Sequence, residues 1–224
     1  MSRHRHLASA LLLLAIACCL SCVGPPSPRA QALTEVRSAD PQTRFLAVQE
    51  LVLMPLDEGI LGALIVATMD GDWQVRGAAI KALGDVGTKE PLALQTLEAA
   101  LGDEVPDVVV QVPLALARMG PEPGVLEILC LALGNPHGGV QAEAARALEG
   151  FGPDAASSPD VVPALIETLE SSNDAEVELA IINALGAIGP PAASALPAIQ
   201  GYLEDPRLDI RYAAEDAIDR ISVR

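Results

Sequence analysis

One motif returns six times along this 224-residue chain, and such a recurrence restricts the fold to a stack of like units. The clearest copy reads Asp72-Trp73-Gln74-Val75-Arg76-Gly77-Ala78-Ala79-Ile80-Lys81-Ala82-Leu83-Gly84-Asp85-Val86-Gly87. With Arg76 as reference, its equivalents are Arg44, Val109, Gln141, Glu178 and Arg211, at spacings of 32, 33, 32, 37 and 33 residues. One residue before the reference stand Thr43, Val75, Val108, Val140, Val177 and Ile210. Seven after it stand Leu51, Leu83, Leu116, Leu148, Leu185 and Ile218, and ten after it Met54, Val86, Met119, Phe151, Ile188 and Ile221. Alanine dominates three and six after the reference, as at Ala79 and Ala82 or Ala214 and Ala217. These columns share one face of a 3.6-residue helix, and small residues within it let a neighbouring helix come close.

Each unit carries a second apolar segment ahead of this one, over about residues 56–69, 91–101, 124–133, 159–169 and 191–203. Proline at or near the start and Asp, Asn or Ser at the exit predict a helix followed by a tight turn. Every repeat is therefore expected to be a helical hairpin, helix A then helix B. The first A segment is short, residues 31–38, offering only Leu33 and Val36 to a core. A longer connection at residues 152–159 accounts for the spacing of 37. With five aromatic residues in all, the apolar mass is Ala, Leu, Val and Ile, which suits close helix packing better than a β-sandwich.

Asp72-x-x-Val75-Arg76-x-x-Ala79-x-x-Ala82-Leu83-Gly84 resembles the short HEAT-like repeat of the phycocyanobilin lyase type, and the resemblance covers about residues 31–224. It implies an all-α fold, a right-handed α-solenoid of about six HEAT-like hairpins, with B helices lining the concave side where such proteins bind. It also implies a ladder between repeats made by an Asp and the Arg four residues later. Asp40/Arg44 and Asp72/Arg76 keep both members. Val105/Val109, His137/Gln141, Asp174/Glu178 and Arg207/Arg211 do not, so the ladder is expected to be broken through the middle.

The chain opens differently. Arg3 and Arg5 precede an apolar run, residues 7–20, which is the pattern of a secretory signal and is shorter than the ~20 residues a spanning helix needs. Ala15-Ile16-Ala17 supplies small residues before Cys18, and the stretch resembles a bacterial lipoprotein signal, which implies acylation of Cys18 after cleavage. Cys22 is the second choice, and plain secretion with incidental cysteines is the alternative. Residues 1–22 are thus read as signal, 23–30, with Pro25, Pro26 and Pro28, as an extended tether, and 31–224 as the solenoid. The expected location is therefore the periplasm or cell envelope, and any membrane contact is expected to come from a lipid at the N-terminus.

A net charge of −16, without a basic cluster beyond the extreme N-terminus, disfavours nucleic acid as a partner. The histidines are His4, His6 and His137, too few for a metal cluster at hairpin spacing, and no His-Glu pair exists of the kind deoxyhypusine hydroxylase uses for iron. Gly138-Gly139 has no Gly-Lys-Ser/Thr after it, and Ser157-Ser158 lacks a Gly-x-Ser-x-Gly frame. Cys130, in an apolar run, reads as core. No enzyme activity, cofactor or metal is expected, and likeness to the bilin lyases is architectural; the alternatives to a binding scaffold are an enzyme or enzyme accessory chain using a pocket the sequence does not identify, and a structural spacer.

What remains is a binding surface. Positions one and five after the reference should point outward from the B helices. The first column is Phe45, Gly77, Val110, Ala142, Leu179 and Tyr212, and the second is Gln49, Lys81, Leu114, Arg146, Asn183 and Asp216. Phe45, Lys81, Val110, Leu114, Arg146, Leu179 and Tyr212 are the candidate contacts for a protein or extended peptide. Val110, Leu114 and Leu179 are apolar for solvent-facing sites. They either line a groove or touch adjacent helices in a tightly curved stack.

Overall fold

A computed structural model describes residues 25–87 and 90–223, so the expected signal and Cys18 and Cys22 lie outside the described residues. Those residues hold helices and turns and no strand. Six hairpins follow one another. Their A helices are α1 (Pro28–Glu35), α3 (Glu58–Ala67), α5 (Pro91–Ala100), α8 (Pro123–Leu133), α10 (Val161–Ser171) and α12 (Leu196–Gln200). Their B helices are α2 (Pro41–Val52), α4 (Trp73–Val86), the pair α6 (Pro106–Val109) and α7 (Gln111–Met119), α9 (Gly138–Phe151), α11 (Ala175–Ile188) and α13 (Leu208–Ser222).

The periodic columns form the core. Leu51, Leu83, Leu116, Leu148 and Leu185 are fully buried, as are Val75, Val108, Val177 and Ile210 in the column before the reference. Each such leucine contributes about 1.5–3 kcal/mol of transfer free energy, and only stacking can shelter it, because a lone hairpin leaves its stripe wet. Successive B helices pack on one another extensively, whereas successive A helices touch sparsely. Packing is thus closer in the B layer, the layer expected to face inward. Gly84 shows how close that approach is: a Cβ there would lie 2.6 Å from the Ala115 Cα of the next repeat. Gly186 repeats the arrangement against Ala217, at 3.0 Å.

Several local expectations need correction. The first A helix begins at Pro28, inside the stretch read as tether, because Ser27 Oγ accepts the Ala30 N–H at 3.2 Å and Pro28 suits a first turn. Arg29 then pairs with Asp57, the N-cap of α3, tying this helix to the second hairpin. The third B helix is interrupted at Val110, since Pro113 has no N–H to offer the Val109 carbonyl. The last A segment is a 3-10 turn, Pro190–Ala195, followed by the five-residue α12; Pro190, Pro191 and Pro197 deprive a longer helix of donors. The longer fourth connection is also a 3-10 turn, Gly152–Ser157, which buries Ala155.

The inter-repeat ladder has a different partner from the expected one. Asp40, Asp72 and Asp174 cap their own helices, accepting backbone N–H groups at 2.9 Å. The acceptor of the arginine lies two residues earlier, in the A–B turn of the following repeat. Arg44 forks onto Asp70 through Nε and Nη2, both at 2.7 Å, and Arg76 onto Asp103 at 2.7 and 2.9 Å. The third guanidinium nitrogen donates to the turn of its own repeat, at Ser38 O (2.9 Å) and Asp70 O (3.0 Å). This turn column reads Ser38, Asp70, Asp103, Asn135, Ser172 and Asp205, and each side-chain oxygen accepts the N–H two residues on. The rungs are missing at Val109 and Gln141, as the sequence implies. Between the fifth and sixth repeats the polarity reverses: Arg207 bridges Glu178 at 2.6 Å and Asp205 at 2.8 Å.

Candidate functional site

The inner layer carries two shallow clefts that share Gln49, Ala78 and Lys81. The first, about 290 Å³, lies across α2, α4 and the start of the third B helix, lined by Phe45, Trp73, Gln74, Gly77, Asp107 and Gln111 besides the shared residues. The second, about 340 Å³, follows the α2–α4 seam past Val52 and Leu53 to Asp85. Together they form one groove. Phe45 and Lys81, two of the candidate contacts, come together in it. Trp73 stands 44% exposed at the first position of α4, where the helix meets its Asp72 cap. Trp73, Gln74, Asp107 and Gln111 lie off the two outward columns, and a single tryptophan in the best-formed repeat is their one signal in the sequence.

The other candidate residues lie outside these clefts. Val110 and Leu179 are half-buried and packed against the core, so their apolar character serves inter-helix contact. Leu114 is also half-buried, and Ala142 is fully so. Arg146 is exposed, yet its two terminal nitrogens are held by Glu143 and Glu176, both at 2.6 Å. Tyr212 is 65% exposed on α13. On that last helix Glu215 and Asp219 occupy positions that Val48, Ile80, Pro113, Ala145 and Ile182, or Gly84 and Gly186, hold in earlier repeats, which makes its outer face a polar cap.

A larger opening of about 530 Å³ lies between α3 and α5 in the outer layer, lined by Ile65, Met69, Leu92, Thr96 and Ala99. Its floor includes Arg76 and Asp103, which already satisfy each other. By contrast, Lys81 and Asp107 make no ion pair among the described residues, and the Gln49 and Gln74 amides make no hydrogen bond there. Asp70, Asp103 and Asp205 have carboxyls held below the ordinary value of 3.8, first by hydrogen bonds from Arg44, Arg76 and Arg207 respectively; Asp205 reaches about 2. Burial pushes the half-buried Cys130 thiol up to about 11, away from the range of a reactive thiolate. Among the described residues no three His, Cys, Asp or Glu side chains converge as a metal site. His137 is exposed at the start of α9. The groove offers rings, amides and single charges around an open floor.

This architecture is that of a helical repeat protein. The profile of HEAT repeats matches residues 27–117, 61–149 and 126–219, and the chain belongs to the HEAT-repeat family. No curated protein matches its sequence. Among solved structures it is similar to the CpcE–CpcF complex of phycocyanin lyase from Nostoc sp. PCC7120, at 27% identity and a TM-score of 0.57, covering 75% of this chain and 68% of that one. An engineered protein is similar at 22% identity and a TM-score of 0.60, covering 88% and 97%. A designed armadillo repeat protein in complex with the peptide (KR)4 is similar at 18% identity and a TM-score of 0.62, covering 85% and 98%.

Proposed function

We propose that this chain is a non-catalytic protein-binding scaffold of the bacterial cell envelope, and that its concave groove over α2, α4 and α7 takes an extended peptide segment of a partner. The observation that carries the reading is the groove itself, which Phe45, Trp73 and Gly77 line together, and in which Lys81 and the Gln49 and Gln74 amides have no ion-pair or hydrogen-bond partner among the described residues. Apolar rings set among exposed polar groups are what an extended ligand needs for affinity and register. Export and acylation at Cys18 rest on Arg3, Arg5 and the apolar run that follows. A second reading, an accessory subunit of an enzyme, draws on the likeness to the lyase chains.

Capture from detergent-solubilised envelope tests the first reading. Partners retained by the wild-type chain should be lost on Trp73→Glu/Lys81→Glu, changes at two exposed side chains that leave circular dichroism unaltered. If the folded double variant keeps every partner, the groove is not the binding surface. Fatty-acid labelling of the wild type, absent in Cys18→Ser, tests the anchor; an unlabelled wild type removes it.

A further inference from the structure

We infer that the groove selects extended segments of mixed charge, placing an acidic side chain against Lys81, a basic one against Asp107, and an apolar one on the floor between Phe45, Gly77 and Trp73. This rests on the groove being the binding surface and adds what it would select.

Among the charged residues that line the two clefts, pairing singles out these two groups. Asp85 is taken by Arg118 at 3.1 Å, Arg146 by Glu143 and Glu176 at 2.6 Å, and Arg220 by Asp216 at 2.9 Å. Lys81 and Asp107 line the same cleft, each without an ion-pair partner among the described residues. A purely basic ligand would meet Lys81 with a like charge, and a purely acidic one would meet Asp107. Only a segment carrying both signs completes both.

Gly77 supplies an independent observation. A glycine inside a helix costs about 1 kcal/mol relative to alanine, and packing usually explains it. It does so at Gly84, where a Cβ would collide with Ala115. At Gly77 a Cβ would meet only the Gln111 Cγ, at 3.7 Å, an ordinary contact. Stacking does not demand this glycine, and its consequence is open space beside Gln111 in a cleft that Phe45 and Trp73 also line. From Trp73 to Asp85 the groove follows α4 for about 18 Å, room for roughly five extended residues. Gln49 and Gln74 each offer an amide donor and acceptor to the backbone of such a segment.

The test uses the whole chain and four fluorescent octapeptide pools at about 0.15 M salt, where charges beyond about 8 Å are screened. Each pool centres on leucine, flanked by one Glu and one Lys, by two Glu, by two Lys, or by two Gln, in all orders and spacings. Anisotropy should rank the mixed pool first by about threefold to fivefold, the size expected of exposed pairs. Lys81→Glu should move the preference to the dibasic pool and Asp107→Lys to the diacidic pool. If both variants keep the wild-type ranking while Gly77→Phe still abolishes binding, charge selection is wrong and the groove stands. If folded Gly77→Phe binds every pool as the wild type does, the groove reading itself falls. Failure of all pools to bind the wild type overturns the inference as well.

Discussion

Glu178 of the fifth repeat accepts a hydrogen bond from Arg207 Nη2 of the sixth at 2.6 Å, with the signs reversed from the Arg44–Asp70 and Arg76–Asp103 rungs. Glu178 is only 6% exposed, so its charge needs a partner. Arg207 is held in place by Asp205 behind it, at 2.8 Å. Here the anion holds the reference position, and the cation stands two residues past the turn column that still carries Asp205, so the bridge is kept with a different donor site.

A charge-swap cycle follows from that geometry. Arg207→Ala should lower the Tm by about 5 °C, because it strips the cation from a buried carboxylate. Glu178→Arg combined with Arg207→Asp rebuilds the polarity of the first two interfaces and should recover most of the loss. Thermal melts of the singles and the double read this directly; an additive double would mean that the two side chains do not act as a pair.

Two glycines of one helix should respond with opposite signs. Gly84→Ala drives a methyl into Ala115 and should cost about 1–3 kcal/mol despite the better helix propensity. Gly77→Ala meets only an ordinary contact and should gain about 0.5–1 kcal/mol. Urea titration distinguishes them, and matching signs would contradict the close approach of α4 to α7.

Leu116 is fully buried at the centre of the array. Leu116→Ala should cost about 2–5 kcal/mol. Leu116→Asp should unfold the middle repeats, since a carboxylate there has no cation within its apolar surroundings. Helical ellipticity and a melt unchanged from the wild type would mean the register is wrong.

Acid should weaken the rungs in a defined window. The Asp70, Asp103 and Asp205 carboxyls titrate below 3.8 in the folded chain, so each contributes stability above that value and loses it as pH falls through its folded value, about 2 for Asp205. Stability should therefore decline from about pH 4 towards pH 2. Asp103→Asn should be less stable at pH 7 and should show a shallower decline, measured by urea midpoints at stepped pH.

The hairpin count, the buried leucine column and the small residues between them were legible because each follows from a period of 3.6 within one short segment. Proline effects were legible only in part: Pro28 starts a helix and Pro113 interrupts one, and the neighbours that decide between these outcomes are Ser27 and Asp57 in one case and an intact upstream turn in the other. The groove was half visible. Phe45 and Lys81 fall on outward columns, but Trp73, Asp107 and Gln111 reach it from positions that column counting does not join.

By itself the sequence determined that this chain makes six amphipathic hairpins with one aliphatic seam, since local periodicity and turn residues suffice for that. Tertiary structure alone decided which carboxylate each arginine meets. Asp70 and Asp72 are both available to a helical repeat, and stacking brings Asp70 to Arg44 across 26 residues while Asp72 stays behind as a cap. It likewise decided that Val110 and Leu179 turn into the stack and that Gly77 leaves a floor open. The reason is physical: these pairings depend on the offset between helices remote in the chain, and that offset is set by how closely the glycines and alanines let the backbones approach.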